Sequence, residues 1–134
     1  MTSRILIADD NRAVRRSLHG LLEQHLDWRV CADAVDGADA IAKAQHFKPD
    51  VIVLDFFMPG TTGVEAACTL KRLLPSVPIL IVTLEITAQL VEQAKSVGIM
   101  GAVQKSDTHE MIRGVEALLR KETFFNRDKQ GQPI

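Results

Sequence analysis

The sequence predicts a doubly wound α/β domain, in which five helices cover both faces of a five-stranded parallel sheet of order 2-1-3-4-5. Short apolar runs alternate with segments whose apolar residues recur at helical spacing, up to about residue 119. Several runs are continuously apolar, which is typical of strands buried on both faces. Strict strand–helix alternation favours parallel strands joined by right-handed crossovers, so the helices are expected on both sides of the sheet.

Five short segments are the predicted strands. The first, third and fourth are runs of aliphatic residues, whereas the second and fifth have weaker patterns. Pro49 breaks the chain before the third run, and Pro75 and Pro78 bracket the turn into the fourth. The five segments are residues 5–8, 29–34, 51–54, 79–82 and 102–104.

A helix is predicted after each strand, because each intervening segment carries one apolar stripe. Gly60 and Gly63 mark the loop before the third helix, and Gly98 ends the fourth. Polar side chains are expected to cap these helices by accepting hydrogen bonds from first-turn N–H groups. The caps are Asp10 or Asn11 for the first helix, Asp36 for the second, and Asp107 or Thr108 for the last.

Composition and charge indicate an ordinary globular protein of one domain. With 134 residues, 46% of them hydrophobic, the chain can bury a core of its own. A net charge of -1 provides no electrostatic footprint for nucleic acid or for an anionic membrane. The longest apolar runs have four or five residues, far too few for a membrane span, and the N-terminus does not read as a secretory signal. We therefore expect a cytoplasmic protein, with a domain at residues 1–122 and a C-terminal tail or linker at residues 123–134.

Five polar residues stand at the ends of the predicted strands and form the candidate site. They are Asp9 and Asp10, Asp55, Thr83 and Lys105. Open α/β sheets bind ligands at the carboxyl ends of their strands, so these groups are expected to converge. Three carboxylates repel one another, and hard oxygen ligands in a partly open site suit Mg²⁺. One carboxylate can then attack phosphorus, while the lysine and the threonine hydroxyl each bind a phosphoryl oxygen.

Each of these residues taken singly has a simpler interpretation. Asp9 and Asp10 lie where N-capping residues are common, and Thr83 and Lys105 resemble solvated residues at strand ends. Their joint placement at the predicted ligand-binding edge favours a common site. Three arginines at the start of the first helix, Arg12, Arg15 and Arg16, are expected to form a solvated basic face beside this cleft.

The motif at residues 55–63, Asp-Phe-Phe-Met-Pro-Gly-Thr-Thr-Gly, resembles the phosphorylation loop of bacterial response regulator receiver domains. With the acidic pair, the threonine and the lysine, the resemblance to this CheY-like, flavodoxin-like family covers residues 4 to about 120. It implies that Asp55 accepts a phosphoryl group from a sensor histidine kinase or a histidine phosphotransfer protein. It also implies that Mg²⁺ is bound by Asp10, Asp55 and the backbone carbonyl of Phe57, with Asp9 acting mainly through water.

The resemblance further implies a switching surface, made by the fourth helix, fifth strand and fifth helix. The Lys105-Ser106-Asp107 sequence and the closing residues 122–125 are similar to the subgroup with a C-terminal LuxR/NarL-type helix-turn-helix domain. Control of transcription and contact with DNA are expected only through that additional domain, which is not present in this chain. A receiver homodimer is a further partner that the resemblance allows.

Three residues depart from the family pattern. Ala102 stands where many receivers have an aromatic switch residue, so the surface is expected to change in another way. Leu84 replaces a usually small residue after the threonine, and bulky Phe57 lies two residues past the phosphoacceptor. We expect Leu84 and Phe57 to shield the phosphoryl group and slow its hydrolysis.

Three other functions fit the same architecture less well. A Mg²⁺-dependent aspartyl-phosphate phosphohydrolase usually needs a second carboxylate two residues after the nucleophile, where this chain has Phe57. A flavin or nucleotide module needs a Gly-rich or hydroxyl-rich loop after the first strand, where Asp9 and Asp10 would repel phosphate. A receiver-fold interaction module with poor or no phosphorylation remains the third alternative, which Leu84 keeps open.

Overall fold

The computed structural model describes residues 2–125 and places six strands and five helices within them. The strands are β1 (Ser3–Ala8), β2 (Trp28–Ala34), β3 (Val51–Asp55), β4 (Ile79–Thr83), β5 (Gly101–Gln104) and β6 (Phe124–Phe125). The helices are α1 (Arg12–Leu22), α2 (Gly37–Phe47), α3 (Gly63–Leu73), α4 (Ala88–Ser96) and α5 (Thr108–Leu119). The predicted alternation of strands and helices is therefore confirmed from β1 to α5.

All six strands form one parallel sheet of order β2-β1-β3-β4-β5-β6. The predicted order of the first five is confirmed, and the predicted number of strands is wrong. After α5, Lys121 adopts a positive φ of 63°, and the chain then runs beside β5 so that Phe124 pairs with Gly101 and Phe125 with Ala102. A two-residue strand has no periodicity that a sequence pattern can detect.

The two aromatic residues of β6 lie in the segment that we expected to be a tail. The division of the chain at residue 122 stays a prediction, because residues 126–134 lie outside the described residues. None of the helices in the described range 2–125 has the length and apolar character to cross a membrane.

Two apolar layers separate the sheet from its helices. Alternate strand residues such as Leu6 and Ile52 face α2, α3 and α4, whereas Ile5 and Val53 face α1 and α5. Every residue of β3 and β4 is buried, as the continuous apolar runs predicted. Burying an aliphatic side chain of this size contributes about 1.5–3 kcal/mol, so the strand that carries Asp55 is held firmly.

The helix caps place the loops at the carboxyl edge of the sheet. Among the predicted alternatives, Asn11 caps α1 and Asp107 caps α5, while Asp36 caps α2 as expected. Thr62 caps α3 in a reciprocal capping box with Glu65. Gly63, expected in the loop, is instead the first residue of α3.

Gly63 also shows how tightly α3 approaches the end of β3. A Cβ at this position would lie 2.6 Å from the backbone oxygen of Asp55 and 2.9 Å from the Cα of Phe56. Only glycine allows this approach, since both neighbours are backbone atoms that cannot move aside cheaply. The glycine that ends the motif at residues 55–63 therefore sets the position of Asp55 relative to α3.

Candidate functional site

The five predicted site residues meet at the carboxyl edge of the sheet. Asp9 and Asp10 follow β1, Asp55 and Thr83 end β3 and β4, and Lys105 follows β5. Asp9, Asp55 and Thr83 are buried, with 1%, 5% and 4% of their surface exposed. Asp10 is exposed. The edge therefore combines two enclosed carboxylates with a third that is open to solvent.

Lys105 joins two of the carboxylates. Its Nζ lies 2.9 Å from Oδ2 of Asp9 and 3.3 Å from Oδ2 of Asp55. The side chain reaches them because the N–H of Lys105 donates to the carbonyl oxygen of Thr83 at 2.7 Å, which ties the end of β5 to β4. One ammonium group thus compensates for two negative charges that are 50 or more residues away in sequence.

These contacts have opposite effects on the two partners. Burial and the neighbouring Asp9 charge raise the pKa of Asp55, although Lys105 and the Phe57 N–H oppose the shift. Burial alone would lower the pKa of Lys105, but the hydrogen bond to Asp9 and the charges of both carboxylates outweigh it and raise that pKa. The cluster therefore carries excess negative charge, which one lysine does not fully neutralise.

The acidic cluster has the donor set of a hard-cation site. One carboxylate oxygen from each of Asp9, Asp10 and Asp55 lies within 4.8 Å of the other two. Oxygen ligands from one or two carboxylates, with remaining positions open to water, suit Mg²⁺. The exposed Asp10 leaves a route for the ion, and the excess negative charge attracts it. The residues present therefore fit Mg²⁺.

The existing hydrogen bonds distinguish the three aspartates. Both oxygens of Asp9 are engaged, Oδ1 by the N–H of Asn11 at 2.8 Å and Oδ2 by Lys105. Asp55 accepts a longer hydrogen bond from the Phe57 N–H, at 3.4 Å, besides the lysine contact. Within the described part of the chain, the Asp10 carboxylate makes no hydrogen bond or ion pair. Asp10 is thus the carboxylate most available to a ligand.

Thr83 lies at the carboxyl edge of the sheet, and its hydroxyl contacts the backbone two residues further along the chain. The Oγ1 atom donates to the carbonyl oxygen of Glu85 at 3.3 Å, a weak hydrogen bond at the limit of acceptable length. Breaking it costs little, so this hydroxyl is able to exchange its partner for another acceptor.

Two exposed apolar side chains flank the site. Phe57 and Leu84 have 65% and 76% of their surface exposed. Both line a cavity of about 390 Å³ between the loop after β3 and α4, which Thr83 also borders. The Phe57 ring packs edge-on against Phe56, with 4.7 Å between the ring centres. These positions are compatible with the expected shielding of a phosphoryl group, which stays a prediction.

One residue at the site was not recognised from the sequence. Arg15 was expected on a solvated face, yet only 12% of its side chain is exposed. Its Nη1 donates to the backbone carbonyl of Asp9 at 2.8 Å, and its Nε donates to Asp33 at 3.0 Å. In the sequence, Arg15 lies one turn after the Asn11 cap. Nothing in the sequence distinguishes it from Arg12 and Arg16, because only the folded chain brings it within hydrogen-bond distance of Asp33 on β2.

Comparison with known protein families identifies the family of this chain. Residues 5–123 match the response regulator receiver domain family. The chain belongs to this family. Receiver domains generally bind Mg²⁺ at an acidic pocket and act as switches rather than enzymes, and the aspartate cluster of this receiver domain lies where that pocket is expected.

Several relatives support a narrower grouping of the receiver domain. It is 35% identical to the uncharacterized transcriptional regulatory protein YxjL of Bacillus subtilis over 123 residues, which are 91% of this chain and 56% of that protein. It is 32% identical to the response regulator VraR of Staphylococcus aureus over 126 residues, covering 93% of this chain and 60% of VraR. The chain therefore spans less than two thirds of the length of these curated relatives.

Solved structures give the same grouping. A LuxR-family response regulator from Aurantimonas superposes with a TM-score of 0.89 at 30% identity, covering 92% of this chain and 89% of that chain. The receiver domain of a putative response regulator NarL from Mycobacterium tuberculosis superposes with a TM-score of 0.83 at 25% identity, covering 89% and 97%. The predicted likeness to LuxR/NarL-type regulators is confirmed.

Proposed function

We propose that this receiver domain accepts a phosphoryl group on Asp55 and thereby changes its surface. The observation that carries the proposal is the bridge from Lys105 to both Asp9 and Asp55, beside the free carboxylate of Asp10. A merely structural lysine would neutralise one carboxylate and leave no open acidic position. This arrangement instead combines a nucleophile, a cation for a phosphoryl oxygen and a set of carboxylate oxygens that suit a metal ion.

In the proposed reaction, an oxygen of Asp55 attacks phosphorus of a phosphohistidine. The bond between phosphorus and the imidazole nitrogen breaks, and the nitrogen leaves with the electron pair and takes a proton from water. Asp55 must be ionised to attack. Burial and the Asp9 charge raise the pKa of Asp55, which makes its carboxylate a better nucleophile, whereas the Lys105 ammonium opposes this shift and favours the ionised form. After transfer, the Lys105 ammonium is close enough to turn from Asp55 Oδ2 to a phosphoryl oxygen.

We assign the Mg²⁺ ligands from the availability of the oxygens. Asp10 is free and Asp55 is lightly bonded, so both are proposed as direct ligands. The backbone carbonyl of Phe57 is proposed as a third ligand because the resemblance to receiver domains implies it. Asp9 has both oxygens engaged by Asn11 and Lys105, so it is proposed to act mainly through water. When bound, Mg²⁺ supplies positive charge that stabilises the phosphoryl oxygens during transfer.

The switch is proposed to begin at Thr83. Its hydroxyl leaves the Glu85 carbonyl and binds a phosphoryl oxygen, which draws the loop between β4 and α4 towards Asp55. Because Val82 and Thr83 pair with Val103 and Gln104, the movement reaches β5 directly. The surface formed by α4, β5 and α5 is thus biased between two arrangements, with no need for an aromatic residue at Ala102.

We infer the partners from the chemistry and from the relatives. A sensor histidine kinase or a histidine phosphotransfer protein is the proposed phosphoryl donor in the cytoplasm. Transcription is the proposed output, through an additional DNA-binding domain of the LuxR type, since the matched relatives are longer regulators of this kind. A receiver homodimer is proposed as a further assembly. The only catalysis we propose is the transfer and loss of the domain's own phosphoryl group.

The test uses acetyl phosphate and Mg²⁺ as a minimal phosphodonor. We expect a mass gain of one phosphoryl group that is removed by hydroxylamine, is abolished by EDTA and is absent in Asp55→Asn. Asp27→Asn is the matched control, because Asp27 is exposed and lies at the opposite end of the sheet. A mass gain that persists in Asp55→Asn would reject the assignment.

Two alternatives remain as outcomes of the same experiment. No modification of the wild type under any condition would favour an interaction module of receiver fold, with Phe57 and Leu84 as its apolar contact residues. Rapid release of inorganic phosphate with multiple turnovers would favour a phosphohydrolase. We expect poor turnover, because the exposed Phe57 ring stands where that chemistry needs a second carboxyl group.

A further inference from the structure

Arg15 holds the peptide group that joins the two acidic residues after β1. Its Nη1 donates to the carbonyl oxygen of Asp9 at 2.8 Å, and that carbonyl belongs to the peptide bond between Asp9 and Asp10. The N–H of Asp9 is bound on the other side, to the carbonyl oxygen of Ala34 at 3.0 Å. The backbone of Asp9 is therefore fixed at both its N–H and its C=O, and the direction in which Asp10 leaves the turn depends on the second of these contacts.

The same guanidinium is anchored to the neighbouring strand. Nε donates to Oδ2 of Asp33 at 3.0 Å, and Asp33 immediately precedes Ala34 on β2. Lys43 in turn donates to the carbonyl oxygen of Asp33 at 2.7 Å, which ties this strand end to α2. A planar guanidinium with donors in fixed directions transmits this placement better than a flexible amine. The turn with Asp9 and Asp10 is thus braced against β2 through one side chain.

Arg15 differs from Lys105 in how it relates to the acidic cluster. Lys105 binds oxygens of Asp9 and Asp55, so it competes with a divalent cation for the same carboxylate groups. Among residues 2–125, the hydrogen bonds of the Arg15 side chain go to the backbone carbonyl of Asp9 and to the Asp33 carboxylate, which is outside the cluster. Arg15 can therefore keep its contacts while a cation is bound.

We propose that Arg15 is a positioning residue for the divalent-cation site, acting through the Asp9 carbonyl to orient Asp10. The inference rests on the proposed Mg²⁺ site and extends it to a residue beyond the ligands. A purely structural tie between α1 and β2 would leave cation affinity unchanged. A bare positive charge near the site would repel Mg²⁺, so its removal would strengthen binding. If Arg15 positions Asp10, its removal instead weakens Mg²⁺ binding.

The test measures Mg²⁺ affinity by isothermal titration calorimetry, with the unfolding temperature in EDTA recorded for each variant. Arg15→Met is expected to weaken binding about tenfold, the lower end of what loss of an outer-shell partner costs. Arg15→Lys keeps one donor and is expected to restore part of the loss. Arg12→Met is the matched control, since Arg12 is exposed at the start of the same helix, and its affinity is expected to stay within about twofold of the wild type.

Asp33→Asn provides a second route that leaves Arg15 in place. It replaces the charged anchor on β2 by an uncharged amide oxygen, and a smaller weakening than that of Arg15→Met is expected. If Arg15→Met does not fold, Arg15→Lys and Asp33→Asn decide the question by themselves. Unchanged or tighter Mg²⁺ binding in the folded variants, with normal binding by the wild type, would overturn the role of Arg15 alone. A wild type that binds no Mg²⁺ would overturn both this inference and the proposed metal site.

Discussion

Replacing Asp55 by asparagine is expected to stabilise the fold when no metal is present. The substitution keeps the size of the side chain and removes one of three clustered negative charges. An oxygen of Asp55 lies within 4.8 Å of one oxygen each from Asp9 and Asp10, and 3.3 Å from Nζ of Lys105. With an effective dielectric constant of about 20, each repulsion amounts to about 3.5 kcal/mol and the attraction to about 5 kcal/mol.

The balance of these contributions is unfavourable by about 2 kcal/mol, before allowance for solvent. Because Asp10 is exposed, its contribution is screened, and we expect a net gain of about 1 kcal/mol in the free energy of unfolding for Asp55→Asn. For a chain of 134 residues this corresponds to a rise of about 4 °C in the unfolding temperature.

The pH dependence follows from the raised pKa of Asp55. The folded state binds this proton more tightly than the unfolded state, so ionisation of Asp55 destabilises the fold. Below the unfolded pKa both states are protonated and the penalty is absent. It develops as the pH rises from there through the folded pKa, and the advantage of Asp55→Asn is expected to grow over the same range.

Mg²⁺ is expected to abolish or reverse the stability advantage of Asp55→Asn over the wild type. An ion at ten times its dissociation constant stabilises the wild type by about 1.4 kcal/mol, whereas the variant has lost a charged ligand and gains less. Urea unfolding, followed by the fluorescence of the single, buried Trp28, measures the free energy of unfolding. The wild type and Asp55→Asn are each measured in EDTA and in Mg²⁺. Asp27→Asn serves as the control. The reasoning is wrong if Asp55→Asn is less stable than the wild type in EDTA.

Three further predictions concern neighbouring residues. Lys105→Met is expected to tighten Mg²⁺ binding in calorimetry, because the competing ammonium is gone, and to slow phosphorylation by acetyl phosphate about 10²-fold or more; weaker Mg²⁺ binding would contradict the competition. Leu84→Ala combined with Phe57→Asn is expected to shorten the lifetime of the phosphoryl group, and equal lifetimes would refute shielding. Phe125→Ala should cost about 1–2 kcal/mol of stability, since Phe125 packs on the apolar layer and its ring lies 4.9 Å from the Lys95 ammonium. Leu26→Ala, at a 96% exposed position, is its control and should change stability by less than about 0.5 kcal/mol.

Sequence patterns predicted some parts of the molecule better than others. The continuous apolar runs predicted β3 and β4 well, because strands buried on both faces leave an unambiguous signal. The alternatives at the helix starts were narrowed to Asn11 and Asp107 only by the structure, since adjacent polar residues cap equally well in sequence. Cys68 illustrates the limit for single residues. Free cysteines in a sequence of this kind are expected to be small buried side chains, whereas Cys68 is exposed on α3.

The C-terminal strand β6 could not be predicted from local sequence patterns, because it depends on contacts between residues distant in sequence. Residues 124–125 pair with β5 only because the chain reverses at Lys121 and because Gly101 leaves room beside Leu80 and Leu118. The paired residues, Gly101 with Phe124 and Ala102 with Phe125, are 23 positions apart in sequence. No window of adjacent residues records them, so the segment was assigned to a tail.

The amino-acid sequence by itself determined the order of strands and helices from β1 to α5 and the five polar residues predicted at the carboxyl edge of the sheet. It could do so because strand ends follow from hydrophobic periodicity, and parallel topology brings those ends together. Only the tertiary structure decided how the charges are shared: that Lys105 spans Asp9 and Asp55, that Asp10 is left free, and that Arg15 braces the turn from β2. Such choices depend on distances of a few ångströms between side chains from different elements, and periodicity carries no information at that scale.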